Sequence, residues 1–256
     1  MIDPRAAVDP QAELDEGVIV GPFAVIGAGV QIGAGTEVGP HAVIRGETRI
    51  GRDNRIFQFA SVGEDPQDKK YAGEPTRLEI GDRNQIREFT TIHRGTAQDQ
   101  GVTRIGSDNL LMAYTHVAHD CQVGNHAIMA NAASLGGHVH LEDWAILGGF
   151  AIVHQFCRIG AHSFAAMGSA ISKDVPPYVL VSGHPAKPHG INVEGLRRRQ
   201  FSADQITCIK RAYKTLYQSG TLLSEAIEQI QAACPDQPEI QAFVEFLRGS
   251  ERSIVR

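Results

Sequence analysis

Aliphatic residues recur every six positions along the first two-thirds of the chain. Twenty-five positions follow this register, and only Ala165 among them is not a large apolar residue. They are Val8, Leu14, Val20, Ile26, Ile32, Val38, Ile44, Ile50, Ile56, Val62, Ile80, Ile86, Ile92, Ile105, Leu111, Val117, Val123, Met129, Leu135, Leu141, Leu147, Val153, Ile159, Ala165 and Ile171. A unit of six residues is too short for a packed helix, and it fits one short strand followed by one corner.

Small residues mark the corners of this repeat. Glycine often follows the aliphatic position, as at Gly27 and Gly124, and it permits a tight corner. A small or β-branched residue stands four positions after the aliphatic one, as at Thr36 and Cys121. Three units would close one triangular turn, so that residues one turn apart stack about 4.8 Å apart. The pattern predicts a mainly β fold, namely a parallel β-helix of hexapeptide repeats, whose handedness the spacing does not define. A β-sandwich is disfavoured because its strands recur every ~8–12 residues.

The register breaks twice, after Val62 and after Ile92. The first break adds 12 residues within Glu64–Glu79, and the second adds seven within roughly Gly95–Arg104. Insertions in solenoid proteins form loops on one face, which is often the functional face. We therefore expect two polar loops beside a site.

A helical segment follows the repeat, which ends near Ile171. Ser202-Ala-Asp-Gln205 has the pattern of a helix capping box. Apolar residues at helical spacing then predict three short helices, the last opening at Pro238. We expect a hexapeptide-repeat β-helix domain at 1–182, and a linker with a C-terminal helical domain at 183–256 that covers the open end of the solenoid.

Charge and composition narrow the classes of function. A net charge of −5 disfavours nucleic-acid binding, which requires a basic face. No apolar run is long enough to span a bilayer, and the N-terminus lacks a signal-peptide pattern. Four scattered cysteines without a CxxC pair indicate reduced thiols. We therefore expect a cytoplasmic protein with no membrane span.

Seven of the 11 histidines fall between residues 116 and 162. Folding the register by one turn gathers four histidines on the side that carries the longer insertion, namely His93, His119, His138 and His154. His119 is the strongest candidate for a catalytic base, because imidazole accepts protons near neutral pH and Asp120 is adjacent. Gly137 stands one turn further on, where its amide could approach a developing oxyanion. No serine or cysteine is well placed with a base, so direct attack by an activated hydroxyl is the simpler scheme.

Other interpretations of these residues stay open. His116 and His119 are three apart, and carbonic anhydrases built from hexapeptide repeats use histidines in such turns, so a zinc lyase is an alternative. A single histidine is more often a surface residue than a catalyst, and a non-catalytic scaffold is a third hypothesis. The run Arg197–Arg199 is either a solvated turn or a phosphate-binding group.

Longer motifs resemble one enzyme family. They are Gln58–Glu64, Lys70–Arg77, Ile92–Thr96, Asn109–Met112, His116–Cys121, Gly137–Val139, His154–Cys157 and Ile191–Arg199. Hexapeptide repeats alone are shared by many acyltransferases, so these motifs carry the resemblance. With them, essentially the whole chain resembles the acyl-ACP–UDP-N-acetylglucosamine O-acyltransferases of lipid A biosynthesis.

The resemblance implies a left-handed parallel β-helix and a homotrimer with active sites between subunits. It implies transfer of an (R)-3-hydroxyacyl group from acyl carrier protein to the glucosamine 3-hydroxyl of UDP-N-acetylglucosamine, with no metal or other cofactor. By this match His119 is the general base, Asp120 assists it, and Gly137 supplies the oxyanion amide. Positions that match acceptor- and acyl-contacting residues are Asp68, Lys70, His93, His116, His138, His154 and Gln155, and positions that match the nucleotide end are Asn192, Glu194, Arg198 and Arg199.

Met167 departs from the family pattern, in which long-chain enzymes carry glycine. Its side chain would fill the far end of an acyl groove, so we expect a shorter acyl chain such as 3-hydroxydecanoyl, although methionine also fills gaps at interfaces. Asp68 matches relatives that acylate a hydroxyl. An N-acyltransferase that acylates an amino sugar is the nearest rival, and such relatives usually carry an extra N-terminal domain, whereas the repeats here begin almost at Met1.

The acyl carrier protein is acidic and should seek a basic surface. The basic residues of the linker and the first predicted helix are Arg198, Arg199, Lys210, Arg211 and Lys214. They are candidates both for the carrier protein and for the nucleotide phosphates.

Overall fold

Three parallel sheets form the sides of a prism in the computed structural model, which describes all residues 1–256. Within a sheet, neighbouring strands come from successive turns of the chain, as where Leu110 pairs with Ile128 and Leu111 with Met129. This arrangement is the parallel β-helix that the six-residue repeat predicts.

The strands of each sheet follow one another in chain order. The first sheet contains β1 (Ala7–Val8), β4 (Val25–Ile26), β7 (Val43–Ile44), β10 (Ser61–Glu64), β13 (Thr91–His93), β16 (His116–Val117), β19 (Ser134–Leu135), β22 (Ile152–Val153) and β25 (Ala170–Ile171). The second contains β2 (Glu13–Leu14), β5 (Gln31–Ile32), β8 (Glu47–Ile50), β11 (Arg77–Ile80), β14 (Val102–Ile105), β17 (Gln122–Val123), β20 (His140–Leu141) and β23 (Arg158–Ile159). The third contains β3 (Ile19–Val20), β6 (Glu37–Val38), β9 (Arg55–Ile56), β12 (Gln85–Ile86), β15 (Leu110–Leu111), β18 (Ile128–Met129), β21 (Ile146–Leu147), β24 (Phe164–Ala165), β26 (Val179–Ser182) and β27 (Lys187–Ile191).

The aliphatic register fills the interior of the prism. All of its positions are buried except Val8 and Leu14 in the first turn, which are partly buried and pack against the same core. The small residues four positions on also point inward, and Thr36 and Cys121 have no exposed surface. Because every turn buries the same positions, each turn adds its apolar side chains to one continuous core.

Aromatic rings stack along two corners of the prism. Between the third and first sheets the stack consists of Phe23, His41, Phe59, Phe89 and Tyr114, with centroids 4.8–5.2 Å apart. Between the second and third sheets it consists of His126, Trp144, His162 and Tyr178. The first spacing follows the rise of one turn, since residues at equivalent corners stand one strand separation apart.

Four helices follow the prism: α1 (Val193–Arg198), α2 (Ala203–Gln218), α3 (Leu223–Ala233) and α4 (Pro238–Arg248). The predicted capping box is present, because Ser202 and Gln205 each accept a hydrogen bond from the other's backbone amide. One hydrophobic core of 58 buried residues includes both the prism and the helices, so the helices close this end. None of them has the length and apolar content needed to cross a membrane.

The segment predicted as a linker is structured. β27 runs antiparallel to β26 and extends the third sheet, and α1 follows it at once. Sequence reasoning missed both elements because neither continues the six-residue register. The boundary between the two predicted domains stays a prediction.

Two cysteines are paired, contrary to the expectation of four reduced thiols. Cys208 of α2 and Cys234 after α3 form a disulfide with a Cα–Cα distance of 6.4 Å. Cys121 and Cys157 are free and buried inside the prism. The spacing of cysteines in the sequence missed the pair because the packing of two helices brings it together.

The N-terminal turn leaves each sheet with a free edge. Ile2 bridges to Val20, which ties the terminus to the next turn. Pro4 and Pro10 in this turn have no backbone N–H, and Asp3 forms an ion pair with Arg5. Prolines and charges at a sheet edge oppose pairing with another chain.

Candidate active site

Both insertions leave the prism at the same corner, between the first and second sheets, which we call the site corner. Residues 65–76 connect β10 to β11, and residues 94–101 connect β13 to β14. His119, His138 and His154 lie in the corner connections that follow β16, β19 and β22. The loops and these histidines are therefore on one side of the prism.

His119 and Asp120 form a hydrogen-bonded pair at the site corner. His119 Nδ1 lies 2.9 Å from Asp120 Oδ2. Because an ionised carboxylate only accepts hydrogen bonds, Nδ1 carries the proton and Nε2 is left to accept one. The Asp120 side chain is fully buried, and that of His119 is 14% exposed. The pair thus offers a base whose ring orientation is fixed from within the protein.

Thr96, in the loop of residues 94–101, gives the carboxylate of Asp120 two donors. The Thr96 amide lies 3.0 and 3.1 Å from its two oxygens, and the Thr96 hydroxyl donates to Oδ2 at 2.6 Å. Burial by itself raises the pKa of Asp120, but the hydrogen bonds from His119 and Thr96 outweigh it and hold the pKa below its ordinary value of 3.8. Asp120 is therefore ionised at neutral pH.

Gly137 lies against the imidazole of His119. A Cβ at this position would stand 2.6 Å from Cε1 and 2.8 Å from Nε2 of the ring, so a larger residue would force the imidazole to shift. The Gly137 amide donates no hydrogen bond within the chain. A free amide of this kind can donate to a developing oxyanion, and it lies one turn from an imidazole that can act as a base.

His138 packs edge-on against His119, with ring centroids 5.0 Å apart. Its Nδ1 lies 2.7 Å from Asp99 Oδ2, and its ring stacks on Phe156 at 4.3 Å. The loop of residues 94–101 therefore fixes both histidines, one through Thr96 and Asp120 and the other directly.

His93 and His116 extend the histidine group along the first sheet, with centroids 5.1 Å apart. Thr91 Oγ1 lies 2.7 Å from His116 Nδ1, whereas His93 Nδ1 is buried without a partner. Burial, with smaller effects from His116 and His119, lowers the pKa of His93 to about 4, and burial also lowers the pKa of His116. Both rings are therefore neutral at pH 7.

A cleft of about 930 Å³ opens at the site corner. Asp68 and Lys70 of the first insertion line it together with His138 and Phe156. His154 and Gln155 follow one turn beyond Gly137 and are exposed. The Gln155 carbonyl accepts a hydrogen bond from Arg252 at 3.1 Å, which brings the C-terminal tail to the same cleft.

The residues predicted for the nucleotide end form a separate pocket. Asn192, Glu194, Arg198 and Arg199 line a cavity of about 510 Å³ on the outer face of the third sheet. The guanidinium of Arg199 lies 4.9 Å from the centroid of the Trp144 ring, and burial lowers its pKa. This pocket combines an aromatic surface with two cations.

Met167 lies at the corner between the third and first sheets, after β24 and before β25, and it is 76% exposed. Within one chain the structure brings the site-corner histidines together with Asp120, Gly137, Asp68 and Lys70. It places Met167 and the Asn192–Arg199 pocket on other sides of the prism.

Sequence reasoning missed Thr96, Asp99 and Phe156 at the site corner. Thr96 ends the motif Ile92–Thr96 and Asp99 lies in the second insertion, but neither signal gave these residues a role. Phe156 stands one turn beyond His138, so the register could have shown that the two rings stack.

One group of side chains in the chain has the donors and spacing to hold a metal ion. It consists of His119, Asp120 and His138, whose ligand atoms lie within 4.8 Å of one another. Asp120 Oδ2 already accepts hydrogen bonds from the Thr96 hydroxyl and from His119 Nδ1, so a metal bound at this oxygen would compete with both.

Family models match both parts of the chain. The model described as UDP N-acetylglucosamine O-acyltransferase, domain 2, matches residues 174–255. The model described as bacterial transferase hexapeptide (six repeats) matches residues 11–46. The two models thus correspond to the helical end and to the prism.

Curated relatives and solved structures match the chain over its whole length. The acyl-[acyl-carrier-protein]–UDP-N-acetylglucosamine O-acyltransferases of Halorhodospira halophila and Alkalilimnicola ehrlichii are 58% and 59% identical over 255 residues, covering 100% of this chain and 99% of each relative. The structure of LpxA from Acinetobacter baumannii has a TM-score of 0.97 at 50% identity, covering 100% of this chain and 99% of that one. The Francisella novicida UDP-N-acetylglucosamine acyltransferase has a TM-score of 0.98 at 44% identity, covering 100% and 94%.

Proposed function

Because the chain belongs to the acyl-[acyl-carrier-protein]–UDP-N-acetylglucosamine O-acyltransferase family, we propose that it transfers an (R)-3-hydroxyacyl group from acyl carrier protein to the 3-hydroxyl of UDP-N-acetylglucosamine. This reaction is the first step of lipid A biosynthesis. The hydrogen-bonded pair of His119 and Asp120 against Gly137 carries the proposal. It supplies a base and an oxyanion donor, the two groups that acyl transfer to a hydroxyl requires.

The reaction follows from the positions of these groups. His119 Nε2 accepts the proton of the sugar 3-hydroxyl while the hydroxyl oxygen attacks the thioester carbonyl carbon. The carbonyl oxygen becomes an oxyanion, to which the free Gly137 amide donates a hydrogen bond. The intermediate collapses with cleavage of the C–S bond, and His119 returns its proton to the departing thiolate. Asp120 stays ionised and balances the imidazolium charge in between.

The remaining predicted residues receive roles by their location. Asp68 and Lys70 line the cleft beside His138, where they can hold the polar groups of the acceptor sugar. Arg198 and Arg199 carry the charge to bind the nucleotide diphosphate, with Asn192 and Glu194 in the same pocket. His154 and Gln155 are exposed and extend the surface along which the acyl group lies, while the neutral rings of His93 and His116 adjoin the base on the first sheet.

We propose that the protein acts as a homotrimer with shared sites, because the Asn192–Arg199 pocket lies on a different side of the prism from His119. Mixed trimers of His119→Ala and Arg198→Ala chains should regain activity, since each inactive chain supplies the residue that the other lacks. Two inactive variants that stay inactive after co-expression, with mixed trimers confirmed by mass spectrometry, would place both residues in one subunit's site.

The test of the reaction is acyl transfer with UDP-N-acetylglucosamine and 3-hydroxyacyl carrier proteins of several chain lengths. His119→Ala should lower kcat by about 100-fold or more, the range of general-base catalysis. His41→Ala is the matched control, since His41 stacks between Phe23 and Phe59 at another corner. An active parent with His119→Ala equal to His41→Ala would remove the base assignment, and an inactive parent would remove the reaction.

The grouping of His119, Asp120 and His138 also supports one alternative, a zinc lyase of the carbonic-anhydrase type. Metal analysis of the purified protein and CO2 hydration by the zinc-loaded protein distinguish the two functions. An amino-sugar nucleotide as acceptor tests the third possibility, transfer to nitrogen. Preference for the amine over UDP-N-acetylglucosamine would replace the ester product by an amide.

A further inference from the structure

We propose that Thr96 is a positioning residue for this reaction, which acts on His119 through the carboxylate of Asp120. Thr96 fixes the orientation of Asp120, and Asp120 in turn fixes the ring and the tautomer of His119. This inference rests on the proposed role of His119 as the base.

Thr96 reaches the carboxylate with both of its donors. The side chain lies in the loop of residues 94–101 and is 1% exposed. Its hydroxyl donates to Asp120 Oδ2 at 2.6 Å, and its amide is shared between Oδ1 at 3.0 Å and Oδ2 at 3.1 Å. Such short bonds to an ionised acceptor are the stronger class of hydrogen bond.

The hydroxyl and the imidazole meet at the same oxygen. Oδ2 accepts from Thr96 Oγ1 and, at 2.9 Å, from His119 Nδ1. The backbone of Asp120 is fixed as well, because its amide donates to Thr103 Oγ1 at 2.8 Å. The Thr96 hydroxyl thus occupies one acceptor position of Oδ2 and orients the carboxylate so that another faces His119 Nδ1.

A competing partner makes this orientation necessary. His138 Nδ1 bonds Asp99 Oδ2 at 2.7 Å and lies 4.0 Å from the same Asp120 oxygen, so a small rotation of the carboxylate lets Asp120 share this donor with Asp99. Without the Thr96 hydroxyl, only the Thr96 amide and the His119 ring hold the carboxylate, and a rotation of Asp120 toward His138 lengthens its bond to His119. His119 would then lose the preference for a proton on Nδ1, and part of the population would carry it on Nε2, where it blocks acceptance of the substrate proton.

The kinetic test compares Thr96→Val with Thr96→Ser and with Thr90→Val. Thr96→Val removes the hydroxyl in a side chain of similar shape, and it should lower kcat by about 10- to 100-fold, the range for a hydrogen bond to a charged group, with the KM for UDP-N-acetylglucosamine unchanged. Thr96→Ser keeps the hydroxyl and should recover most of kcat. Thr90 is a fully buried threonine that donates to the Met112 carbonyl at 3.3 Å, so Thr90→Val measures the general cost of deleting a buried hydroxyl.

A second readout does not depend on turnover. Nitrogen NMR of histidine-labelled protein, with the His119 signals assigned by their loss in His119→Ala, reports the tautomer directly. Thr96→Val should move these signals toward the Nε2-protonated form, whereas Thr96→Ser and Thr90→Val should not.

The inference is overturned if Thr96→Val leaves the His119 tautomer unchanged, or if it lowers kcat no more than Thr90→Val does. If Thr96→Val fails to fold, the same two measurements on Thr96→Ala and Thr96→Ser decide the question. A parent that transfers no acyl group would refute the proposed function instead, while the NMR comparison would still test the hold of Thr96 on the pair.

Discussion

Replacing Gly137 by alanine tests the link between ring position and catalysis, because it adds a single methyl group at one face of His119. The added Cβ would stand 2.6 Å from Cε1, 2.8 Å from Nε2 and 3.2 Å from Nδ1 of the ring. Gly137 is not among the glycines with positive φ, so alanine is compatible with its backbone. The perturbation is therefore steric and falls on the imidazole.

The magnitude follows from these distances. Ordinary contact begins at 3.4 Å, so the ring must move by about 0.8 Å. The hydrogen bond from His119 to Asp120 is 2.9 Å long, and a shift of this size stretches or misdirects it. Misplacement of a catalytic group by about 1 Å costs on the order of 100-fold in rate. Overpacking should cost only about 1–3 kcal/mol of unfolding free energy.

The assay is steady-state acyl transfer, with folding checked by circular dichroism and thermal unfolding. Gly149→Ala is the matched control, since Gly148-Gly149-Phe150 repeats the arrangement of Gly136-Gly137-His138 at another corner. A Cβ at Gly149 meets only the Asn131 carbonyl oxygen, at 3.4 Å. We expect Gly137→Ala to lose kcat about 100-fold and Gly149→Ala to keep it.

One result would refute the reasoning. If Gly137→Ala folds and keeps kcat within about threefold of Gly149→Ala, then contact with Gly137 does not determine the working position of His119. Loss of activity accompanied by an equal loss in Gly149→Ala would instead assign the effect to the stiffness of the corner backbone.

Three further outcomes are expected. His93 has a pKa of about 4 in the folded chain against 6.5 ordinarily, so between these pH values the unfolded chain binds a proton that the folded chain does not. The free energy of unfolding, measured in urea, should therefore fall as pH falls from 6.5 to 4, and it should fall less steeply in His93→Gln. An equal fall in His93→Gln would assign the dependence to other groups. Met167→Gly should raise activity on longer 3-hydroxyacyl donors relative to 3-hydroxydecanoyl, and no such gain would remove Met167 from acyl selection. Cys208→Ser should lower the unfolding free energy by about 3.5 kcal/mol, the value for closing a loop of 26 residues, and the difference from the parent should vanish in reductant. A difference that persists in reductant would come from packing instead.

The prism could be predicted from the sequence because its buried aliphatic residues repeat every six positions. One aliphatic residue per side per turn is enough to fill a triangular interior, and the same spacing reveals which residues share a corner. His119, His138 and Gly137 could therefore be placed together before any coordinates were known. The capping box at Ser202 and the proline at the start of α4 are equally local signals, and both helices begin as predicted.

Apart from Phe156, what escaped prediction lies outside the register. Thr96 bonds to Asp120, which lies 24 residues further along the chain. Because of the insertion, this separation is not a whole number of turns, so the register does not relate the two residues. The pairing of Cys208 with Cys234 depends on how α2 packs against α3, which no short-range pattern encodes. The hairpin of β26 and β27 forms after the repeat has ended, where the third sheet still offers an edge. Each of these three contacts joins segments whose separation in sequence is not a whole number of turns.

The way in which the two ends of the prism are covered affects whether separate molecules can pair end to end into filaments. A parallel β-helix is a template that can propagate, because each turn presents the backbone groups that the next one uses. Here α2 to α4 cover one end through a shared apolar core, while Pro4, Pro10 and the Asp3–Arg5 pair occupy the other. Neither end offers an unobstructed edge to a second molecule. A repeat that could in principle grow without limit is thereby confined to a particle of fixed length.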